Sequence, residues 1–493
     1  MTTKDLNTYD LVVIGGGPAG ITAATAASRF GKSVALVDCN QEIGGAGINT
    51  GTVPSKTLRE TALALSGLKS RNLYGVDLSI RREVTVADFL GHEEHVKDAF
   101  HASITQRLEM LKATVYWGTA TFLDAHTIQV HPGSKDREQS PSASGAKIQL
   151  RGEKILIATG SSPVHPELFP FGQGEIYDSD TILKLDRIPK TLAVVGAGVI
   201  GAEYGCTFRA LGAEVHILDG RDVFLPFLDT ELSSALVGAF QSSGIVFHWK
   251  ENVQKCLPLS SGNVRLELSS GAALTCDAVL VAAGRQSNTA NVGLKKVGVQ
   301  TGDRGIIAVN EHFQTNIENI YAAGDVIGFP ALASTSAEQA RRAVRHALGL
   351  GGNAISPLLP YGIYTIPEVS MVGETEQSLT KKGVAYMVGR ASYRENARGR
   401  IIGDQDGFLK LIFHQDDLQL LGVHIMGELA TEVVHIGLVA MMCHATANLF
   451  IDACFNLPTL GLLHKTATLN ALGLTSIPPG QPERLGNQRP RWP

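Results

Sequence analysis

The sequence has no CxxC and no pair of cysteines at metal-ligand spacing. Its six cysteines, Cys39, Cys206, Cys256, Cys276, Cys443 and Cys454, are scattered along the chain. No bound metal is expected from them, and six free thiols in so large a chain suit a reducing cytosol. Long apolar runs are also missing. None reaches the roughly 18 residues that a membrane-spanning helix needs. The opening MTTKDLNTYD mixes Lys4 with Asp5, and the apolar stretch after it is broken by Gly15, Gly16, Gly17 and Pro18. A secretory signal is therefore not expected. Charge of one sign is not in excess: 43 basic residues face 47 acidic ones, for a net charge of −4. That balance gives no electrostatic reason to expect nucleic acid or a membrane as partner.

What remains is an ordinary composition for a globular enzyme, 44% hydrophobic and 18% charged over 493 residues. The length suits about three domains. Glycine is plentiful, with 53 residues and no collagen-like period, which points to many tight turns and close backbone approaches.

The first segment reads strand, glycine turn, helix, strand: Leu11–Ile14, Gly15–Gly20, Ile21–Phe30 and Ser33–Val37, ending at Asp38. Gly15-Gly16-Gly17-Pro18-Ala19-Gly20 matches GxGxxG in the context that gives the motif meaning. Gly15 permits the turn, Gly17 lets backbone approach a pyrophosphate, and Gly20 lets helix and strand pack closely. Asp38, 23 positions after Gly15, stands where a carboxylate accepts from a ribose hydroxyl. The same grammar returns at Leu192–Val195, Gly196–Gly201, Ala202–Leu211 and Glu214–Leu218, ending at Asp219. Here Gly196-Ala197-Gly198-Val199-Ile200-Gly201 opens the helix, and Asp219 again lies 23 positions on. Two such units imply two dinucleotides, whose reactive rings must meet for chemistry to occur. Asp219 suits the 2′-hydroxyl of NAD, whereas Arg221 is either a ligand for the 2′-phosphate of NADP or a solvated loop cation.

Three further pairs of small residues follow short apolar strands: Ala158-Thr159-Gly160, Ala283-Gly284-Arg285 and Ala323-Gly324-Asp325. Backbone passes close to another group at such positions. The stretch 132–146 reads as a long hairpin loop, 161–170 with its three prolines as a domain crossing, 349–357 as a boundary, and 476–493 as a disordered tail. His435 and His444 lie on an apolar stretch whose period suits a core helix. His464, Lys465 and Cys454 read as structural.

Together these residues resemble the pyridine nucleotide-disulfide oxidoreductase family, the two-dinucleotide flavoproteins that include dihydrolipoyl dehydrogenase, glutathione reductase and mercuric reductase. The resemblance runs from about residue 9 to about 473. It takes in Ile363-Tyr364-Thr365-Ile366-Pro367-Glu368 and Gly422-Val423-His424-Ile425-Met426-Gly427-Glu428 near the C-terminus. It implies an α/β fold with two Rossmann-like dinucleotide-binding domains and a C-terminal α+β interface domain. The FAD-binding domain would span 1–160 and 289–355, the NAD(P)-binding domain 161–288, and the interface domain, which makes a homodimer, 356–475. By the same resemblance FAD is held at Gly15, Gly17, Gly20, Asp38, Thr52, Lys56, Ala120, Thr159, Gly160, Asp325 and Ala333. NAD(P) is held at Gly196, Gly198, Val199, Ile200, Gly201, Glu203, Asp219, Arg221, Val253 and Gly284.

The departures from the family are informative. Disulfide members carry GGxCxNxGCxPSK. This chain has Gly44-Gly45-Ala46-Gly47-Ile48-Asn49-Thr50-Gly51-Thr52-Val53-Pro54-Ser55-Lys56, with Gly47 and Thr52 at the cysteine positions. Disulfide members also carry HPTxxE, where this chain has Leu457-Pro458-Thr459-Leu460-Gly461-Leu462. Without thiols there is no disulfide to exchange, and a leucine cannot transfer a proton. The dithiol and its base are missing together.

The branch of soluble pyridine nucleotide transhydrogenases fits better, at Gly51–Glu60, Pro330–Ala343 and Phe455–Thr459. That branch usually has Tyr at 457 and Glu at 462, and often keeps Cys at 47. The implied reaction is NADPH + NAD⁺ ⇌ NADP⁺ + NADH, through FAD and with no thiol. Lys56, near the flavin and paired with Glu203, would favour the anionic reduced ring. A flavin reductase acting on a quinone or another small acceptor, or a flavoprotein redox sensor, would share most of these residues. Small-molecule nucleotides, a homodimeric assembly and a cytoplasmic location complete the expectation.

Overall fold

The computed structural model describes residues 7–67, 85–132, 147–351 and 356–474. The expected hairpin loop beyond residue 132 and the expected tail at 476–493 lie outside them. Contacts group 7–65, 85–222 and 246–351 into one compact unit, and 223–245 with 357–474 into another.

The first unit contains two parallel sheets. In the larger, Asn7–Ile14 pairs in parallel with Val34–Asp38 and with Ile148–Ile157, and Val34–Asp38 pairs with Thr114–Trp117. Val34–Asp38 is buried throughout, as a strand covered on both faces must be. Ile148–Ile157 forks. Its early residues pair antiparallel with Thr127–His131, and Ile155–Ile157 pair in parallel with Ile320–Ala322. Ile14, Val37, Ile157 and Ala322 are thereby brought into register at one sheet edge. The turns leaving that edge carry Gly15, Asp38, Thr159-Gly160 and Gly324-Asp325. Ligands bind at such carboxyl-terminal edges of open parallel sheets.

The second parallel sheet repeats the plan. Thr191–Val195 pairs with Glu214–Asp219 and Ala278–Val281, aligning Val195 with Leu218 and Val281. Gly196, Asp219 and Gly284 leave its edge. A smaller antiparallel sheet, Val253–Pro258, Val264–Leu268 and Ala273–Cys276, packs beside it. The proline-bearing crossing begins with Ser161–Pro163, which pairs antiparallel with Arg285–Ser287.

Both glycine-turn helices begin earlier than the sequence suggests, at Pro18 and Val199 rather than at Ile21 and Ala202. Gly17 and Gly198 are extended N-caps, so the glycine motif runs into the first helical turn. Pro18 is well placed there because a first-turn N–H has no intrahelical partner to lose. Ala19, Ala23, Ala24 and Ala27 form the buried face of Pro18–Arg29 and let the helix sit close to the sheet. Ala333–Ala347 joins the same core through Ala340, Ala343 and Val344.

The second unit is a five-stranded antiparallel sheet in the order Tyr361–Ile363, Val369–Gly373, Leu420–Met426, Phe408–His414, Tyr386–Ser392. Helices Ala430–Met442 and Leu462–Ala471 share its apolar core. Helix Thr230–Ser243 belongs to this unit and is capped by the Asp229 carboxylate, which accepts from Glu231 N at 3.1 Å. The expectation that His435 and His444 are core histidines is not met, because both are exposed. Helix Ala430–Met442 is apolar on more than its core face. Ile436, Val439 and Met442 are exposed beside its buried Val433, Val434, Gly437 and Ala440. Among the described residues no helix is long and apolar enough to cross a membrane.

Candidate functional site

Gly15 has φ +106°, and a Cβ there would meet the carbonyl oxygen of Ala158 at 2.2 Å. The turn therefore brings the first motif against Ala158-Thr159. Asp38 closes the same corner: its carboxylate accepts from Gly16 N through Oδ2 and from Asn40 N at 2.7 Å through Oδ1. Burial pushes this carboxyl above its usual range, against the backbone N–H groups of Asn40, Gly16 and Cys39. The Thr159 hydroxyl is buried with no hydrogen-bond partner among the described residues. An unsatisfied buried hydroxyl costs about 1–3 kcal/mol, a cost that a polar ligand atom bound there would remove. Asp325 lies at the same sheet edge, with Oδ2 accepting from Ser161 Oγ at 2.7 Å. A helix N-terminus, a carboxylate at the end of the adjoining strand and an orphaned hydroxyl fit a dinucleotide such as FAD.

The second motif is built alike. Gly196 has φ +109°, and a Cβ there would lie 2.5 Å from Ala282 O. At Gly198 a Cβ would meet open space, as backbone that receives a pyrophosphate requires. Asp219 Oδ2 accepts from Ala197 N at 2.8 Å and from Arg221 Nη2 at 2.8 Å, and Oδ1 accepts from Arg221 Nε and N, both at 2.9 Å. Burial raises the Asp219 pKa, but the Arg221 side chain, the Arg221 N–H and the Ala197 N–H outweigh it and hold the carboxyl below its usual range. Arg221 is thus both half exposed and paired with Asp219. Val199 and Ile200 begin the helix and Gly201 packs against Gly196 O. Gly284 follows the strand Ala278–Val281 with φ +105°.

A charged pair ties helix Thr52–Leu65 to the helix of the second motif. Lys56, on helix Thr52–Leu65, places Nζ 2.6 Å from Oε2 of Glu203, on helix Val199–Ala210. Ser55 Oγ lies 3.2 Å from Lys56 Nζ and 3.5 Å from Glu203 Oε2. The Glu203 side chain is 8% exposed and that of Lys56 26%. Glu203 is therefore not a solvated helix carboxylate; it is a buried acid held by a cation.

Other expected residues occupy varied settings. Thr52 opens its helix and is exposed, Ala120 is buried in Thr119–Phe122, Ala333 opens Ala333–Ala347, and Val253 is buried at the start of its strand. A Cβ on Gly47 would sit 2.6 Å from Cγ of Pro18.

Sequence reasoning missed the bracing of Asp325. Arg285 donates from Nε to Ser161 Oγ at 2.9 Å and from Nη2 to Ser161 O at 2.8 Å, and Ser161 Oγ in turn donates to Asp325. Arg285 stood in a motif already singled out, but its role depends on a strand pairing that the sequence does not display. Away from these motifs, one cluster of carboxylates among the described residues has the geometry to hold a cation: Asp229, Glu231 and Glu376. It encloses the ammonium of Lys410, with Nζ 2.7 Å from Asp229 and 2.9 Å from Glu231 and bonded to Glu376.

Comparison with known proteins gives matches along most of the chain. Residues 9–347 match the family model described as pyridine nucleotide-disulphide oxidoreductase, and residues 359–467 match that family's dimerisation domain. A soluble pyridine nucleotide transhydrogenase of Mycobacterium tuberculosis is 44% identical over 464 residues, covering 94% of this chain and 97% of the relative. One of Vibrio cholerae is 39% identical over 472 residues, covering 94% and 98%. Among solved structures, LpdA from Mycobacterium tuberculosis superposes with a TM-score of 0.85 at 26% identity, covering 94% of this chain and 99% of that one. The HOCl-induced flavoprotein disulfide reductase RclA from Escherichia coli gives 0.83 at 26%, covering 93% and 99%.

Proposed function

The chain belongs to the pyridine nucleotide-disulphide oxidoreductase family, and from that premise we propose that it is an FAD-dependent transhydrogenase, moving hydride between NADPH and NAD⁺ without a redox disulfide. The observation that carries this reading is the Lys56–Glu203 pair, which ties helix Thr52–Leu65 to the helix of the second dinucleotide motif while Gly47 and Thr52 leave no dithiol beside it. The names of the relatives that match along nearly the whole chain support the same activity.

FAD held at the first motif would supply the two-electron hydride chemistry. The chain's own residues bind and orient. The Gly15–Gly20 turn, Asp38, Thr159 and Asp325 hold FAD. The Gly196–Gly201 turn, Asp219 and Arg221 hold the nicotinamide nucleotide. Glu203 fixes the Lys56 ammonium in one place, so that positive charge is preorganised and needs no reorganisation during the reaction. No proton relay is required, which agrees with Leu457 at the position of the family's base.

Within this reading the FAD domain is 1–160 with 289–355, the NAD(P) domain 161–288, and the interface domain 356–475. The enzyme works in the cytoplasm as a homodimer. The exposed apolar Ile436, Val439, Met442 and Leu449 of the C-terminal unit support that assembly. Its partners are nucleotides, with no nucleic acid and no membrane.

The test is anaerobic reduction of a thio-analogue of NAD⁺ by NADPH, on protein whose flavin absorbance has been verified. Turnover without added thiol or quinone is expected. Bleaching of the flavin by NADPH with no reduction of the analogue would replace this reading with a reductase of another acceptor.

A further inference from the structure

Strand Val246–Trp249 is the outermost strand of the second parallel sheet, and its partner there is Glu214–Asp219. The register sets His216 opposite Val246 and Leu218 opposite His248, so the two histidines are diagonal neighbours on one face. Their rings converge. His216 Nδ1 and His248 Nε2 are 3.0 Å apart, with ring centroids 5.2 Å apart. On its far side His216 Nε2 donates to Glu214 Oε1 at 3.2 Å. That bond keeps the ring hydrogen on Nε2, so Nδ1 presents its lone pair to His248. The side chain of His216 is 12% exposed and that of Glu214 65%, so water reaches the rim of the pair.

A hydrogen bond between neutral imidazoles uses one nitrogen of each ring, and the same two nitrogens suit a divalent cation. Two imidazoles on one tetrahedral ion, bonded at about 2.0–2.1 Å, have nitrogens about 3.4 Å apart and ring centroids about 5.2 Å apart. The centroids of His216 and His248 already have that spacing, and the nitrogens need to part by only about 0.4 Å, a small turn of each ring. Burial and then His216 hold the His248 pKa below its usual range, against Glu251, so the ring is neutral at pH 7 as a metal ligand must be. The Glu214–His216 bond is the outer carboxylate support that metal-bound histidines use. Glu251, held by Ser269 Oγ and Ser270 N, adds negative charge near His248.

We propose that His216 and His248 form a site for a borderline divalent cation, of which zinc is the type, and that the ion clamps the outermost strand to the strand ending at Asp219. Imidazole suits zinc, copper and nickel. The ion takes Nδ1 of His216 and Nε2 of His248 and keeps water at its other positions. The hydrogen that lay between the rings moves to His248 Nδ1, so no proton is lost and nothing is oxidised. Both strands belong to the first unit, and His216 lies within its strand rather than in the glycine turn. The site does not rest on the transhydrogenase reading.

The experiment uses metal-stripped, FAD-loaded, full-length protein. It is titrated with zinc chloride in a calorimeter, and separately loaded with one equivalent of copper(II) for electron spin-echo spectroscopy. Wild type is expected to bind one zinc ion with a dissociation constant below about 100 μM and to show two imidazole nitrogens on copper. His216→Gln and His248→Gln are each expected to weaken zinc at least about 10-fold and to abolish the two-imidazole signal. Zinc is expected to raise the unfolding temperature of wild type more than that of either variant, because the ion binds only the folded pair. Zinc binding that survives in both variants belongs to other side chains, such as the exposed Cys39, Cys443 and Cys454, and would overturn the site. Wild-type binding weaker than that limit would overturn it as well. The copper spectrum of wild type needs no variant and keeps the proposal testable if a substitution unfolds the protein: absence of two imidazole nitrogens would overturn the site.

Discussion

Lys56, on helix Thr52–Leu65, and Glu203, on helix Val199–Ala210, are 147 positions apart, yet Nζ and Oε2 are 2.6 Å from each other. The geometry is that of a charge-assisted hydrogen bond, and the acid is the more buried partner. Glu203→Gln keeps the shape and removes the charge that holds the ammonium in place. The rate of anaerobic flavin reduction by NADPH, followed by stopped flow, is expected to fall about 10–100-fold, equivalent to about 1.5–3 kcal/mol. A variant that reduces its flavin at the wild-type rate would remove the pair from the mechanism.

Restoring the missing thiols is not expected to restore disulfide chemistry. A Cβ on Gly47 would lie 2.6 Å from Pro18 Cγ and 3.2 Å from its Cδ, and a proline ring cannot rotate out of the way. Pro18 also starts the helix that forms the first glycine motif, so the clash is relieved by shifting that helix end. The double variant Gly47→Cys with Thr52→Cys is expected to bind FAD less tightly and to show no NADPH oxidation with oxidised glutathione or lipoamide. Steady-state assays, with mass spectrometry for an internal disulfide, decide the point.

How much of this was legible in the sequence depends on the range of the interactions. The two strand–turn–helix units were readable because their signals are local: glycine spacing, an apolar strand before, an acid at the next strand end. Asp38 and Asp219 followed from position alone, and the structure puts both on backbone N–H groups of their own glycine turns. The Arg285–Ser161–Asp325 bracing was not readable, because it depends on pairing Ser161–Pro163 with Arg285–Ser287. The histidines were misjudged for a different reason. For His435, apolar residues of Ala430–Met442 occupy the exposed side as well as the core side, so periodicity alone cannot say which face is buried, and His444 lies past the helix end in a turn with φ +52°. Lys410 was invisible for the converse reason: a lysine in the strand FLKLIFH reads as solvent-facing, yet it is fully buried.

That lysine is central to the second unit. Burial pulls the ammonium toward neutrality, but bonds from Asp229, Glu376 and Glu231 outweigh it and hold the pKa above its ordinary value. Glu231 is shared with Arg390, whose Nε and Nη2 lie 2.7 and 2.8 Å from its two oxygens. Lys410→Met removes the ammonium from the buried Asp229 and leaves Glu231 and Glu376 with Arg390 alone. The loss is expected to be about 3–5 kcal/mol, as for breaking a buried pair. The exposed pair Lys382–Glu374 provides the control, and Lys382→Met is expected to change stability by less than about 1 kcal/mol. Urea denaturation of both variants measures the difference. Similar midpoints for the two would show that the cluster is not holding helix Thr230–Ser243 to the sheet.

His464 makes the stability of the same unit depend on pH. Its ring is fully buried beside Phe450, Nδ1 donates to Gly461 O at 3.2 Å, and Nε2 has no partner among the described residues. Burial pushes its pKa down to about 4, against the opposing effect of the Gly461 bond. The fold therefore holds the neutral ring, while the unfolded chain, titrating near its ordinary value of about 6.5, takes up a proton earlier. The stability from this group is complete above about pH 6.5 and is lost as the pH falls from there toward the folded-state value. The slope is about 1.4 kcal/mol per pH unit, which is about 2 kcal/mol between pH 6.5 and 5. His464→Phe keeps an aromatic ring and removes the titration. Denaturation at pH 7.5 and pH 5 is expected to show wild type losing more stability than the variant, by about that amount. Equal losses would mean that the buried ring accepts its proton without opening the core.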